Sequence, residues 1–155
     1  MAIRKIIEIG NEKLRKTAKP VERFDLRLRL LIKDMADTMY RAEGVGLAGP
    51  QVGILRRAVV IDCSEQQNEL LVLINPEIVE TEGEQTGPEG CLSVPGRRGI
   101  VTRPNKVTVR AQNLAGEWFR KTGEGLLARA MCHEIDHLDG ILYVDKMEKD
   151  ITEEE

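Results

Sequence analysis

The sequence predicts an α+β fold, with short antiparallel or mixed β-sheets around a helix near the C-terminus. Three observations lead there. Two stretches carry helical periodicity, one ending before residue 45 and one centred near residue 130. Several short β-type runs lie between them. Those runs follow one another instead of alternating with helices, which argues against a doubly wound parallel sheet. At 155 residues the chain suits one domain spanning residues 1–155, large enough to bury about two-thirds of its unfolded surface. Hydrophobic residues at 41% and charged residues at 32% indicate a soluble globular protein, not a disordered one. Aromatics are only 3%, so the core must rest on Leu, Ile, Val and Met.

In chain order, residues 25–41 form the first helix: Leu28, Leu31, Ile32, Met35 and Met39 share one stripe, and Asp25 is a suitable N-cap. It stops near Gly44, where a glycine-rich turn, GVGLAGPQVG (44–53), begins. Strands are expected at 57–62, at 70–74 and, after a break at Pro76, at 77–82. The stretch 88–96, PEGCLSVPG, reads as a loop held by its prolines and glycines. Residues 106–112 alternate with Val107, Val109 and Ala111 inward, and a turn at 113–116 joins them to a strand at 117–121. A second helix, 126–138, begins after Thr122 and is stopped by Gly140. A last short strand at 141–144 closes the sheet.

The charge of −3 gives no support for specific nucleic-acid binding, and the acidic stretch 148–155 would repel phosphates. The opening MAIRKIIEIGNEKLRK has scattered charges, with no apolar run suited to a signal peptide or membrane span, so the expected compartment is the cytoplasm. Cys63, Cys91 and Cys132 are there better read as free thiols or ligands than as a disulfide frame.

The only two histidines both fall within HEIDH, residues 133–137. On a helix, His133 and His137 stand one turn apart on one face and can close on one metal ion, with Glu134 near enough to act on water. This is the pattern of a hydrolytic metal site. Such a site needs three protein ligands and one open position. With no third histidine, the remaining ligand must be a carboxylate or a cysteine. Cys132 points about 100° away from its neighbour around the helix and reads as a small core thiol, as does Cys63. Cys91, in its proline- and glycine-framed stretch, stays open as a ligand on sequence spacing alone.

GVGLAGPQ, EGCLS and HEIDHLDG occur in this order, and together they resemble the three motifs of the peptide deformylases. The resemblance extends to the opening IRKI…GNEKLRK and to HLDGILYVDKM, and so covers nearly the whole chain. It implies a metal-dependent amide hydrolase that removes the N-formyl group from the N-terminal methionine of new polypeptides and releases formate. It further implies that Cys91, His133 and His137 hold the metal and that Glu134 is the general base. Gln51 and the backbone N–H of Leu92 would bind the substrate oxygen. Ferrous iron is the implied working metal, with Zn²⁺, Ni²⁺ or Co²⁺ able to substitute. Two positions depart from the usual family pattern: Gly49 stands where relatives carry Ala, loosening the turn before Gln51, and Cys132 stands where relatives often carry Gln.

For the substrate, Val45, with Leu126 and Ala130, are candidates for an apolar methionine pocket, although Leu126 reads more simply as core. Gly46 could pair its backbone with an extended peptide. Arg98 is a candidate for contact farther along the peptide, and Arg103 with Glu43 for an ion pair between loops. The partners implied are N-formylmethionyl nascent peptides. Ribosome docking in related proteins has been linked to a basic C-terminal extension, so a transient ribosome contact by this acidic-ended chain would need another surface. No membrane partner is expected. HExxH alone also fits a zinc endopeptidase, whose third ligand would be His or Glu, or a structural zinc module, which would need a fourth ligand.

Overall fold

The computed structural model describes residues 2–153. Helix α1 (Leu26–Arg41) starts at the expected cap, where the Asp25 carboxylate accepts the Leu28 N–H, and its apolar stripe is buried. The glycine-rich stretch holds more structure than a turn. It contains a short strand, β1 (Gly46–Ala48), and a 3₁₀ turn, Gly49–Val52. Strand β2 (Ala58–Ile61) pairs with β1 on one side and with β3 (Leu71–Glu82) on the other.

The break expected at Pro76 is instead a bulge within one continuous strand. The pairing of β3 with β6 (Lys106–Gln112) shifts register between Ile74 and Glu77, so the missing proline N–H is not needed. Asn75 takes a left-handed conformation there (φ 50°), and its side chain bonds Val21 and Gln112.

Stretch 88–96, expected as a loop, is largely a hairpin: β4 (Gln85–Cys91) turns directly into β5 (Val94–Arg103). Its prolines are tolerated because β4 is an edge strand and β8 (Lys149–Asp150) pairs with β5 only at Gly99 and Ile100. Strand β7 (Trp118–Glu124) runs three residues past its expected end, and helix α2 (Leu126–Leu138) follows at once. The strand expected at 141–144 is not formed. A 3₁₀ turn, Tyr143–Asp145, stands there, with Asp145 accepting from the Leu142 N–H and from Arg15.

The strands form an antiparallel five-stranded sheet in the order β1-β2-β3-β6-β7 and a three-stranded one in the order β4-β5-β8. Helix α2 lies on the larger sheet: Met131, Ile135 and Leu138 pack with Val59, Ile61, Leu73, Val107 and Val109. Helix α1 packs with Leu47, Val60 and Ile74 in a second apolar cluster. The smaller sheet has only a small apolar cluster of its own, built on Val94, Val101 and Tyr143. Residues 44–53, 88–96 and 133–137 meet where the two sheets adjoin.

Candidate metal centre

Helix α2 carries His133 and His137 on one face, as their four-residue spacing requires, and the end of β4 brings Cys91 to the same point. The His133 and His137 Nε2 atoms are 3.2 Å apart, and Cys91 Sγ is 3.3 Å from His137 Nε2. All three ligand atoms lie within 4.8 Å of one another. A tetrahedral ion with bonds of 2.0–2.1 Å to nitrogen and 2.3 Å to sulfur sets N···N near 3.3 Å and S···N near 3.6 Å, roughly the spacing seen. Two buried imidazoles and a thiol converging on one point fit a metal ion. No other group of three such side chains with this spacing occurs among the described residues.

The ring of His133 is oriented by Glu89, whose Oε2 lies 2.6 Å from Nδ1. That bond places the proton on Nδ1 and turns the Nε2 lone pair toward Cys91 and His137. Glu89 also accepts from Arg103 (Nε 3.1 Å, Nη2 2.6 Å) and from Arg129 (Nη1 2.8 Å), all of them buried. Burial would raise the Glu89 pKa, yet His133 and Arg103 outweigh it and hold the carboxyl below the ordinary range. In the metal-free chain burial lowers His137 further, with the charge on His133 adding to it. For His133, Glu134, Cys91 and Glu89 overcome burial and raise the pKa.

Sequence reasoning gave Glu89 no role, although it is the one carboxylate of PEGCLS. The ion pair expected between Arg103 and Glu43 is not formed. Arg103 pairs instead with Glu89 and, through Nη1 at 2.6 Å, with Asp136, because β5 faces α2 there. Glu43 sits at the cleft with a left-handed backbone (φ 59°).

Glu134 is buried, and its Oε1 has no hydrogen-bond partner. Burial pushes its pKa up to about 7. Its carboxylate lies against β1 so closely that a Cβ on Gly46 would stand 2.5 Å from Oε2, so any larger residue there would displace the Glu134 side chain. Gly49, the departure expected to loosen the turn, is needed where it stands. A Cβ there would lie 2.7 Å from the carbonyl oxygens of Ile54 and Arg56. Gln51 is fixed at both ends, its Oε1 accepting the Ala48 N–H at 3.0 Å and its Nε2 donating to Ser93 Oγ at 3.1 Å. Nε2 also lies 3.5 Å from Cys91 Sγ.

A cleft of about 390 Å³ opens beside these groups, lined by Val45, Gly46, Gln51, Cys91, Leu92 and Glu134 among others. Leu126 and Ala130 line it too. Leu126 is 54% exposed, and so is cleft wall and not the core residue its periodicity suggested. Arg98 is exposed on β5, outside the lining, with its stem beside Gly90. The other two cysteines are as expected, Cys132 buried and Cys63 half-buried against the same apolar cluster.

An HExxH helix on a sheet, a cysteine converging on its two histidines and a glutamate with one unpartnered oxygen beside an adjoining cleft define a metallohydrolase. The family model described as polypeptide deformylase matches residues 3–152. The chain is 59% identical over 153 residues to the peptide deformylase of Lachnoclostridium phytofermentans, covering 99% of this chain and 94% of that one. It is equally similar to that of Caldicellulosiruptor bescii, at 59% over 155 residues, covering 100% and 92%. Among solved structures, a peptide deformylase from Legionella pneumophila superposes with a TM-score of 0.92 at 55% identity, covering 94% of this chain and 86% of that one. One from Thermotoga maritima gives 0.91 at 41% identity, covering 95% and 99%. The chain belongs to the peptide deformylase family. Its activity is the metal-dependent removal of the formyl group from N-terminal formylmethionine.

Proposed function

We propose that deformylation runs on Cys91, His133 and His137 as metal ligands, with Glu134 as general base and Gln51 and the Leu92 N–H as donors to the formyl oxygen. The observation that carries this is the convergence of two buried imidazoles and a half-buried thiol beside a carboxylate that has an unpartnered oxygen. A bound ion supplies Lewis acidity, polarising a carbonyl and bringing the pKa of water from 15.7 toward about 7. Glu134 takes the proton from the attacking water and delivers it to the amine nitrogen as the C–N bond breaks. A pKa of about 7 suits both transfers. Gln51 and Leu92 stabilise the negative charge that grows on the formyl oxygen, each donor contributing on the order of 3 kcal/mol to the barrier.

Val45, Leu126 and Ala130 would receive the methionine side chain. β1 is an edge strand, so Gly46 can offer its backbone to an extended peptide. Arg98 would meet the peptide beyond the cleft. A thiolate with two imidazoles suits ferrous iron and zinc alike, and Fe²⁺ is assigned as the working ion from the family resemblance. The same reading makes residues 1–155 one catalytic domain, working in the cytoplasm on nascent chains. No described helix is long and apolar enough to cross a membrane.

Formate release from a formyl-Met-Ala-Ser peptide, measured without oxygen beside metal analysis, tests the assignment. Glu134→Ala should abolish turnover and leave metal content unchanged. Full activity in protein holding only zinc would remove the iron assignment, and retained turnover in Glu134→Ala would remove the base.

A further inference from the structure

Residues 4–9 belong to neither sheet, yet they touch both halves of the site. The Ile7 N–H donates to the carbonyl of Gln51 at 2.8 Å, and the Ile9 N–H donates to the carbonyl of Ser93 at 2.8 Å. Gln51 lies in the turn after β1, on the five-stranded sheet. Ser93 lies in the turn after β4, on the three-stranded one. The segment is anchored at its start, where the Arg4 N–H bonds Thr38 Oγ1 at 2.9 Å and the Arg4 guanidinium pairs with Asp34. Ile6 packs on the apolar cluster around α1.

Alternate N–H groups of extended chain point to the same side and repeat about every 6.6–6.8 Å. Two such donors fix the spacing between the carbonyls they hold. We propose that residues 4–9 act as a positioning strap that sets the offset between the Gln51 and Ser93 turns and so keeps the Gln51 amide on the formyl oxygen. This rests on the reading of Gln51 as an oxyanion donor. The Gln51 side chain shows why the offset matters. Its oxygen is held by the Ala48 N–H within its own turn, while its NH₂ group reaches across to Ser93 Oγ and Cys91 Sγ. Ser93 is fully buried, and its N–H also reaches Cys91 Sγ at 3.4 Å. A displacement of one turn against the other would swing that amide away from its target.

The strap ends in a tight turn that allows a clean test. The Asn11 N–H bonds the Glu8 carbonyl at 3.0 Å, and Gly10 has φ 103°. Ile9 is thus the second residue of a type II-like turn, a position where proline is favoured. Ile9→Pro keeps the turn and removes the N–H that holds Ser93. Ile9→Ala, which trims an exposed side chain and retains the N–H, is the reference.

Relative to Ile9→Ala, Ile9→Pro should lower kcat on a formyl-Met peptide about tenfold or more, with KM within about twofold. Metal content should match the reference, and melting temperature should fall only by the few degrees that loss of one hydrogen bond costs. In a Gln51→Ala background the same change should add no further loss. If Gln51→Ala alone leaves kcat intact, the oxyanion reading falls. If Gln51→Ala lowers kcat while Ile9→Pro does not, or if the two losses multiply, the strap falls and Gln51 stands. Should Ile9→Pro fail to fold, a glycine inserted between Glu8 and Ile9 shifts the offset with both N–H groups kept. Unfolding of both variants, or undiminished kcat in the inserted one, refutes a positioning role.

Discussion

Replacing Glu89 with Gln probes the support beneath the metal ligands. The carboxylate takes four hydrogen bonds: Oε1 from Arg103 Nε and Arg129 Nη1, Oε2 from Arg103 Nη2 and His133 Nδ1. Glutamine keeps one oxygen and turns the other position into a donor, which must then face two donors whichever way it is flipped. Arg103 retains Asp136, and Arg129 retains the Val101 carbonyl at 3.1 Å, so neither guanidinium is left wholly unpaired. Breaking a buried pair from one side costs about 3–5 kcal/mol, and these retained partners put the expected loss near the low end, about 3 kcal/mol. In urea, with a slope of about 1–3 kcal/mol/M, the midpoint of the metal-free variant should fall by roughly 1–3 M. Loss of the His133 orienter should also weaken metal binding by about 10–100-fold, read by competition between the protein and a chelator for Co²⁺. The pH dependence has a definite sign. Because folding depresses the Glu89 pKa, its contribution is present above the ordinary value of 4.5 and is lost as pH falls toward the folded value. The gap between the two proteins should therefore hold from pH 5 upward and narrow in acid. An unchanged urea midpoint together with an unchanged chelator competition would refute the orienting role.

Gly46→Ala places a methyl 2.5 Å from Glu134 Oε2, so that carboxylate must shift; with Glu134 as the proposed base, kcat should fall about 10–100-fold while metal content, by elemental analysis, stays the same. Burial pushes the Cys63 and Cys132 thiols up to about 11. Native-state alkylation of both should be slow at pH 8 and quicken toward pH 11, and peptide mass spectrometry showing fast labelling at neutral pH would contradict their placement. Asp62 accepts from Tyr40 Oη at 2.6 Å, from Ser64 through both N–H and Oγ, and from the Glu69 N–H. Asp62→Asn should destabilise the protein by about 1–3 kcal/mol, measured by denaturant titration.

The parts of this molecule that follow from periodicity could be read directly. Helix α1 with its Asp25 cap, the alternation of Val107, Val109 and Ala111, and the two histidines one turn apart on α2 are local patterns, and tertiary packing had only to accept them. The misses cluster at Pro76, Pro88, Pro95 and the glycines between them. Proline and glycine signal a break, but an edge or a bulge removes the penalty, and whether a strand is an edge depends on partners distant in sequence. The site divides in the same way. Its ligands are marked by residue type. The groups behind them (Glu89, Arg129 and Ser93) are placed largely by contacts between residues 28 to 44 positions apart. Leu126 shows the limit of a helical pattern, which identifies an apolar face without saying whether that face meets core or cleft.

The division of the ligands between two sheets bears on stability as well as chemistry. His133 and His137 ride on a helix seated in the main apolar cluster, whereas Cys91 belongs to a sheet with few buried apolar residues of its own. Burial supplies roughly 25 cal/mol per Å², so the small sheet gains little from its own core and must be held by other means. Three ties are visible: the Glu89 cluster, which links β4 to β5 and α2; the bonds of Ile9 and Gln51 to Ser93; and the pairs of Arg103 and Lys146 with Asp136. Each of these ends within a few residues of Cys91, His133, Glu134 or His137. A metal ion joined to Cys91 and both histidines would be a fourth tie across the same joint. Because binding to the folded state alone stabilises it, the ion that enables the reaction would also hold together the two halves that carry it.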